Sequence, residues 1–194
     1  HERQDIYSMK WIKRLCSFIF LCAVIVGGIL FYRGYKEYRA ALETKSVEQM
    51  AADIESIENY TSLEELPQTY IDAVLCVEVQ RFYYLPGFDP IAIGRALIND
   101  IRAGSYVEGG STITQQLAKN QYFTQDKKMV RKIAEMFMAF KIESVLDKDK
   151  ILELYVNSIF FGNHYYCVAD ASWGYFGKAP SEMNFDECTL LAGI

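Results

Sequence analysis

Between Leu15 and Tyr32 the chain reads LCSFIFLCAVIVGGILFY, a run of about eighteen residues without a charge. This stretch limits the fold more than any other feature, because a helix that is apolar on every side has no face to give to water. It is at the short end of what crosses a bilayer. Lys10, Lys13 and Arg14 precede it and Arg33, Lys36 and Arg39 follow, so the positive-inside rule votes only weakly on orientation. A cleaved leader shares the basic start and apolar middle, but bulky or charged Arg33, Tyr35 and Lys36 stand where a small-residue cleavage site would be. The reading is an uncleaved single-pass anchor. Residues 1–14 are then a cytoplasmic flank, 15–32 the transmembrane helix, 33–65 an acidic stalk and 66–194 a domain outside the cytoplasm.

The run also accounts for a mean hydropathy near zero in a chain that is 23% charged. The 194 residues suffice for one core beside such an anchor and are too few for two full catalytic domains. A net charge of -5 excludes a general nucleic-acid binder, which needs a basic surface for phosphates. Charge is unevenly spread: from Glu43 to Glu78 nine acids face the single base Lys45, whereas from Lys119 to Lys150 eight bases face five acids. An anionic ligand belongs with the second stretch. Cys16, Cys22, Cys76, Cys167 and Cys188 form no CxxC pair and no cluster with histidine, so they read as free thiols rather than metal ligands.

Periodicity and caps give a mainly α domain. A polar helix spans Ser46 to Tyr60, and Ile71, Val74, Leu75 and Phe82 share one stripe. Asp89-Pro90 opens a helix that Gly104 ends. Thr112 with Gln115, and Asn184 with Glu187, have the form of capping boxes. The longest candidate runs from Asp126 to Leu146 with Val130, Ile133, Phe137 and Phe140 as its core stripe, and Ile151 to Phe161 and Phe185 to Ala192 add two more.

Among residues that carry chemistry, Glu78 falls seven positions after Ile71 on the apolar stripe, where desolvation suits a general base and a small roll of the helix suits solvent equally well. By spacing, Glu135 lies opposite the core stripe beside Lys128, Arg131 and Lys132, the pattern of a solvated ion-pair face. Lys119, Lys127, Lys128, Arg131 and Lys132 together suit a phosphate or pyrophosphate clamp, or lipid headgroups. His164, Trp173 and the pairs Tyr83-Tyr84 and Tyr165-Tyr166 read as structural.

At Gly109-Gly-Ser-Thr-Ile-Thr-Gln-Gln-Leu-Ala-Lys-Asn120 the sequence strongly resembles the peptidoglycan glycosyltransferases of family 51, found in class A penicillin-binding proteins and monofunctional transglycosylases. Glu78 to Gly87, Arg131 to Glu135, Lys150 to Asn157 with Gly162, Ala171 to Lys178 and Glu187 to Gly193 follow the family's order. The resemblance implies a lysozyme-like domain on the extracytoplasmic side of a bacterial membrane that polymerises lipid II into glycan strands with inversion. Carried over, Glu78 is the base and Glu135 the second carboxylate at the departing pyrophosphate. Lys119, Arg131 and Lys132 meet phosphate, and Ser111, Thr112, Thr114, Gln115 and Gln116 line the donor side. The resemblance admits a divalent cation, magnesium or manganese, as cofactor. It also implies lipid II, the growing strand, the membrane and cell-wall synthesis or division proteins as partners. Val79 and Leu85 depart from the family, which has Asp and His there; this opens a second reading, a weakened member acting as scaffold. A lysozyme-like hydrolase is a third. The chain is expected to stop before the family's domain closes, and no transpeptidase domain lies within it.

Overall fold

The computed structural model describes residues 2–78, 82–103, 110–124 and 129–194. Among them every regular element is helical: α1 (Glu2–Thr44), α2 (Val47–Glu55), α3 (Gln68–Glu78), α4 (Pro90–Ala103), α5 (Ile113–Tyr122), α6 (Met129–Glu143), α7 (Lys148–Val156), α8 (Val168–Phe176) and α9 (Phe185–Ala192), with short 3-10 turns at Leu63–Glu65, Phe82–Tyr84 and Pro180–Glu182. The expectation of a mainly α chain with one apolar N-terminal helix is met. The anticipated capping boxes are present, with Thr112 Oγ1 accepting from Gln115 N and Asn184 Oδ1 from Glu187 N. Gly104 and the Glu108-Gly109 loop lie outside the described residues.

α1 is long and apolar enough to cross a membrane, and Trp11, Phe18, Ile25 and Phe31 are among its exposed side chains. It does not end with the apolar run. Its C-terminal part lies along α6, where Phe31, Tyr35 and Tyr38 surround Phe137 at centroid distances of 5.0, 5.4 and 5.7 Å. Gly34 makes this approach possible, since a Cβ there would sit 2.5 Å from Ile133 Cγ2. Ser46 then caps α2, whose Val47, Met50, Ala51 and Ile54 are buried in the main core. Residues 33–65, expected as a stalk, therefore share their packing with the domain that follows.

The core gathers α2, α3, α5, α6, α7, α8 and α9. α5 lies against both α6 and α7, and α3 against α9. On α6 the structure differs from the expected stripe. Ile133 and Phe137 do form an apolar stripe, but it faces α1. The core receives a second face, Ala134, Met138, Ala139 and Ile142, and Phe140 stays 40% exposed. A helix held between two partners buries two stripes, and a single-stripe reading assigns the remainder to solvent.

Segment 55–65 is tied to α7 by polar contacts. Asn157 Nδ2 donates to Thr61 O at 2.7 Å while its Oδ1 accepts from Thr61 N at 2.9 Å. Glu153 accepts from Tyr60 Oη, from Lys150 Nζ at 2.7 Å and from Leu63 N at 2.8 Å. Burial opposes its charge, but Lys150, Tyr60 and the Leu63 amide outweigh burial and hold the carboxyl below its ordinary value of 4.5. The folded state thus binds this proton less tightly than the unfolded chain does, so the stabilisation is complete above about pH 4.5 and is lost as pH falls through the folded value. Melting curves between pH 6 and 3 should show Glu153→Gln losing less stability on acidification than the parent chain; parallel losses would show that the carboxylate contributes nothing.

Candidate functional site

The site is framed where the start of α5 meets the loop after α3. Thr112 Oγ1 accepts from Gln115 N at 3.2 Å and donates to Gly87 O at 2.8 Å, and Gln115 Oε1 accepts from Thr112 N at 3.1 Å. Gly87 has φ +70°, and a Cβ there would stand 3.2 Å from Ala139 C, so the loop rests directly on the α6 backbone. Thr114 Oγ1 donates to Glu143 Oε1 at 2.5 Å; the same oxygen accepts from Lys148 Nζ at 2.6 Å. Lys148 also donates to Leu85 O at 2.6 Å and stands 4.5 Å over the Phe82 ring. Thr112, Thr114 and Gln115, expected on the donor side, are thus buried and committed to the frame. Glu143, Lys148 and Gly87 share that work without having been expected. The Glu143–Lys148 pair crosses a helix break, so no helical spacing advertises it.

A second group stands at α6. Glu135 is fully buried, with Arg131 Nε 2.9 Å from Oε1 and Lys132 Nζ 3.1 Å from Oε2. Lys132 also donates to Ser111 Oγ, and Arg131 Nη1 to Thr124 O at 3.0 Å. The solvated face expected for Glu135 is corrected here: it sits at the edge of the second buried face of α6. Among the described residues both Glu135 oxygens and Arg131 Nε lack an aligned hydrogen-bond partner, so the three meet as charges with bonding capacity left over. Two cations on one carboxylate leave one positive charge in excess, and Lys132, 39% exposed, carries it to the surface. Chemically such an arrangement can receive an anion, with the two cations fixed from beneath by a carboxylate that water does not screen.

Gln116 and Lys119, one turn apart on α5, lie elsewhere: they line a cavity of about 250 Å³ between α3, α5, α7 and α9. Tyr155 Oη donates to Gln116 Oε1 at 3.2 Å, and the buried Tyr70 hydroxyl is without a partner among the described residues. Tyr70 and Val74 of α3 line the same cavity, and Glu78 ends α3 one turn beyond Val74. The Glu78 side chain, Val79, Lys127 and Lys128 lie outside the described residues. Leu85 is half-buried, with its carbonyl on Lys148. His164 and Trp173 are exposed.

No three His, Cys, Asp or Glu among the described residues are placed to hold a metal ion, and Glu135 is already engaged by two cations. The described residues do not make a divalent-cation site.

Residues 44–194 match the family model described as Transglycosylase. The chain is 47% identical to penicillin-binding protein 1A of Aquifex aeolicus over 70% of its own length and 19% of that protein's. It is 37% identical to penicillin-binding protein 1A of Vibrio cholerae over 96% of its length and 24% of that protein's. To penicillin-binding protein 1F of Bacillus subtilis it is 42% identical, over 78% and 22%. The chain thus spans about a quarter or less of the length of these relatives.

Proposed function

Since the chain belongs to the transglycosylase family, we propose that it is a membrane-anchored peptidoglycan glycosyltransferase that polymerises lipid II. The observation that carries this reading is the buried Glu135 holding Arg131 and Lys132, with Ser111 on the exposed side. A neutral glycan has no use for such an excess cation; a pyrophosphate departing from C1 of a sugar does.

In the proposed reaction the 4-hydroxyl oxygen of the acceptor sugar bonds to C1 of the donor. Glu78 takes the hydroxyl proton, the C1–O bond to lipid pyrophosphate breaks, and the configuration at C1 inverts. Pyrophosphate is already a fair leaving group, so the reaction asks for one base, a charge clamp and positioning. Lys132 and Arg131 would meet the departing phosphates, and Lys119 and Gln116 would face the substrate from the neighbouring cavity. Thr112, Thr114 and Gln115 would serve by fixing the loop that follows Glu78. α1 anchors the domain at the outer face, where lipid II and the growing strand lie and where other cell-wall synthesis or division proteins would join it.

The test uses purified chain in detergent micelles with labelled lipid II. The parent should make glycan polymer, and Glu78→Gln should lower the rate about 10²–10⁴-fold, the usual contribution of a positioned base. Polymer that persists at the parent rate in Glu78→Gln would remove Glu78 from the role, and no polymer from the parent would favour the scaffold reading.

A further inference from the structure

A cleft of about 610 Å³ opens between the end of α2, the C-terminal ends of α5 and α7 and the start of α8. That volume is within the range of small-ligand sites. Two aromatic side chains line it, Phe160 and Tyr166, 56% and 59% exposed, their rings 5.1 Å apart and tilted by 44°.

The intervening loop is built to keep these rings together. Gly162, Asn163 and His164 have successive φ values of +80°, +46° and +66°, a left-handed turn uncommon outside glycine, in which asparagine and histidine are among the more tolerant residues. Phe161 N donates to Tyr165 O and Tyr165 N to Gly162 O, both at 2.9 Å, while Tyr175 Oη donates to Phe161 O at 2.7 Å. Tyr165 presses so closely on Gly174 that a Cβ there would sit 2.1 Å from its ring. Strained, tightly bonded backbone that holds two large apolar rings out in solvent does nothing for the core.

The walls complement the rings. Asn59, Asn120, Gln121 and Ser158 supply hydroxyl and amide partners, and Asn59 Nδ2 donates to Asp170 Oδ1 at 2.7 Å. Asp53, Glu58 and Asp170 are the charges lining the cleft; Lys45, which is not among the lining residues, pairs with Asp53 at 3.3 Å, so the walls keep a net negative charge. A phosphate would be repelled; a neutral, hydroxyl-rich ligand would find acceptors for its O–H groups and flat faces for its C–H groups. Asn120 and Phe160 line both this cleft and the Gln116–Lys119 cavity, so the two are neighbours across a shared wall.

We propose that this cleft is a saccharide subsite that holds a stretch of the neutral glycan strand away from its reacting end, stacked on Phe160 and Tyr166. The inference rests on the glycan-polymerising reading for its ligand but on separate residues for its evidence. The probe is the β-1,4-linked tetramer of N-acetylglucosamine, titrated calorimetrically into the chain in detergent micelles. Phe160→Ala and Tyr166→Ala should each weaken binding about tenfold. Tyr166→Phe, which keeps the ring, should bind like the parent, and so should Glu135→Gln. Both aromatics are exposed, so unchanged melting curves will certify the variants as folded. No measurable binding, equal binding in both alanine variants, or a loss confined to Glu135→Gln would overturn the proposal. Because this readout needs no turnover, binding that depends on the aromatics in a chain that makes no polymer would support the cleft and refute the polymerase reading. Polymerisation with binding indifferent to the aromatics would do the reverse.

Discussion

Glu135→Gln is expected to lower glycan polymerisation by about 10²–10³-fold, on the scale of removing one preorganised electrostatic group from a reaction centre. The amide is nearly the same size, so the packing of α6 should survive. What changes is the charge to which Arg131 and Lys132 are fixed at 2.9 and 3.1 Å. Without it Lys132 keeps its bond to Ser111 Oγ and Arg131 its bond to Thr124 O but neither keeps its counter-charge, so both must reorganise when negative charge develops on the departing pyrophosphate. A group that acts as the bond breaks affects kcat more than KM, so the loss should fall on kcat. Initial rates over a range of lipid II concentrations check this. A rise in KM with unchanged kcat would make Glu135 a ground-state binding group only.

Lys148→Met should be the most damaging change to stability outside the apolar core. Lys148 and Glu143 are 19% and 11% exposed, and the ammonium also holds Leu85 O. Removing it leaves Glu143 with Thr114 alone among the described residues and costs about 3 kcal/mol, the low end for breaking a buried pair. Replacing both partners by apolar residues, Lys148→Met with Glu143→Leu, should recover part of that loss, because no orphaned charge remains. Urea unfolding of the single and double variants measures both. A single variant as stable as the parent would mean that the pair does not hold the loop at 82–87.

These two sites differ in how far they could be seen before the fold was known. Thr112 with Gln115 and Asn184 with Glu187 were legible because a cap is written in four consecutive residues. Val47, Met50 and Ile54 stand at i, i+3 and i+7 among acidic neighbours, so the apolar stripe of α2 is legible too, although the charge around it has the pattern of a solvated stalk. Glu135 was not legible from spacing. α1 takes the Ile133–Phe137 stripe and the face of Ala134, Glu135 and Met138 is buried separately, and the α1–α6 partnership joins segments about a hundred residues apart. The Glu143–Lys148 pair and the contact of Gly87 with Ala139 are tertiary in the same sense. The ordered motifs around Gly110–Asn120 named Ser111, Arg131, Lys132 and Glu135 together, and the fold brings these four side chains into contact. Motifs alone do not say which side chains face a ligand and which, like Thr114 and Gln115, brace the frame.

The most direct test of the central claim is product analysis with the purified chain given two substrates in parallel, labelled lipid II and finished peptidoglycan. Long glycan strands and free lipid pyrophosphate are expected from the first, and no soluble fragments from the second. Fragments released from finished peptidoglycan, with lipid II left unpolymerised, would contradict the claim.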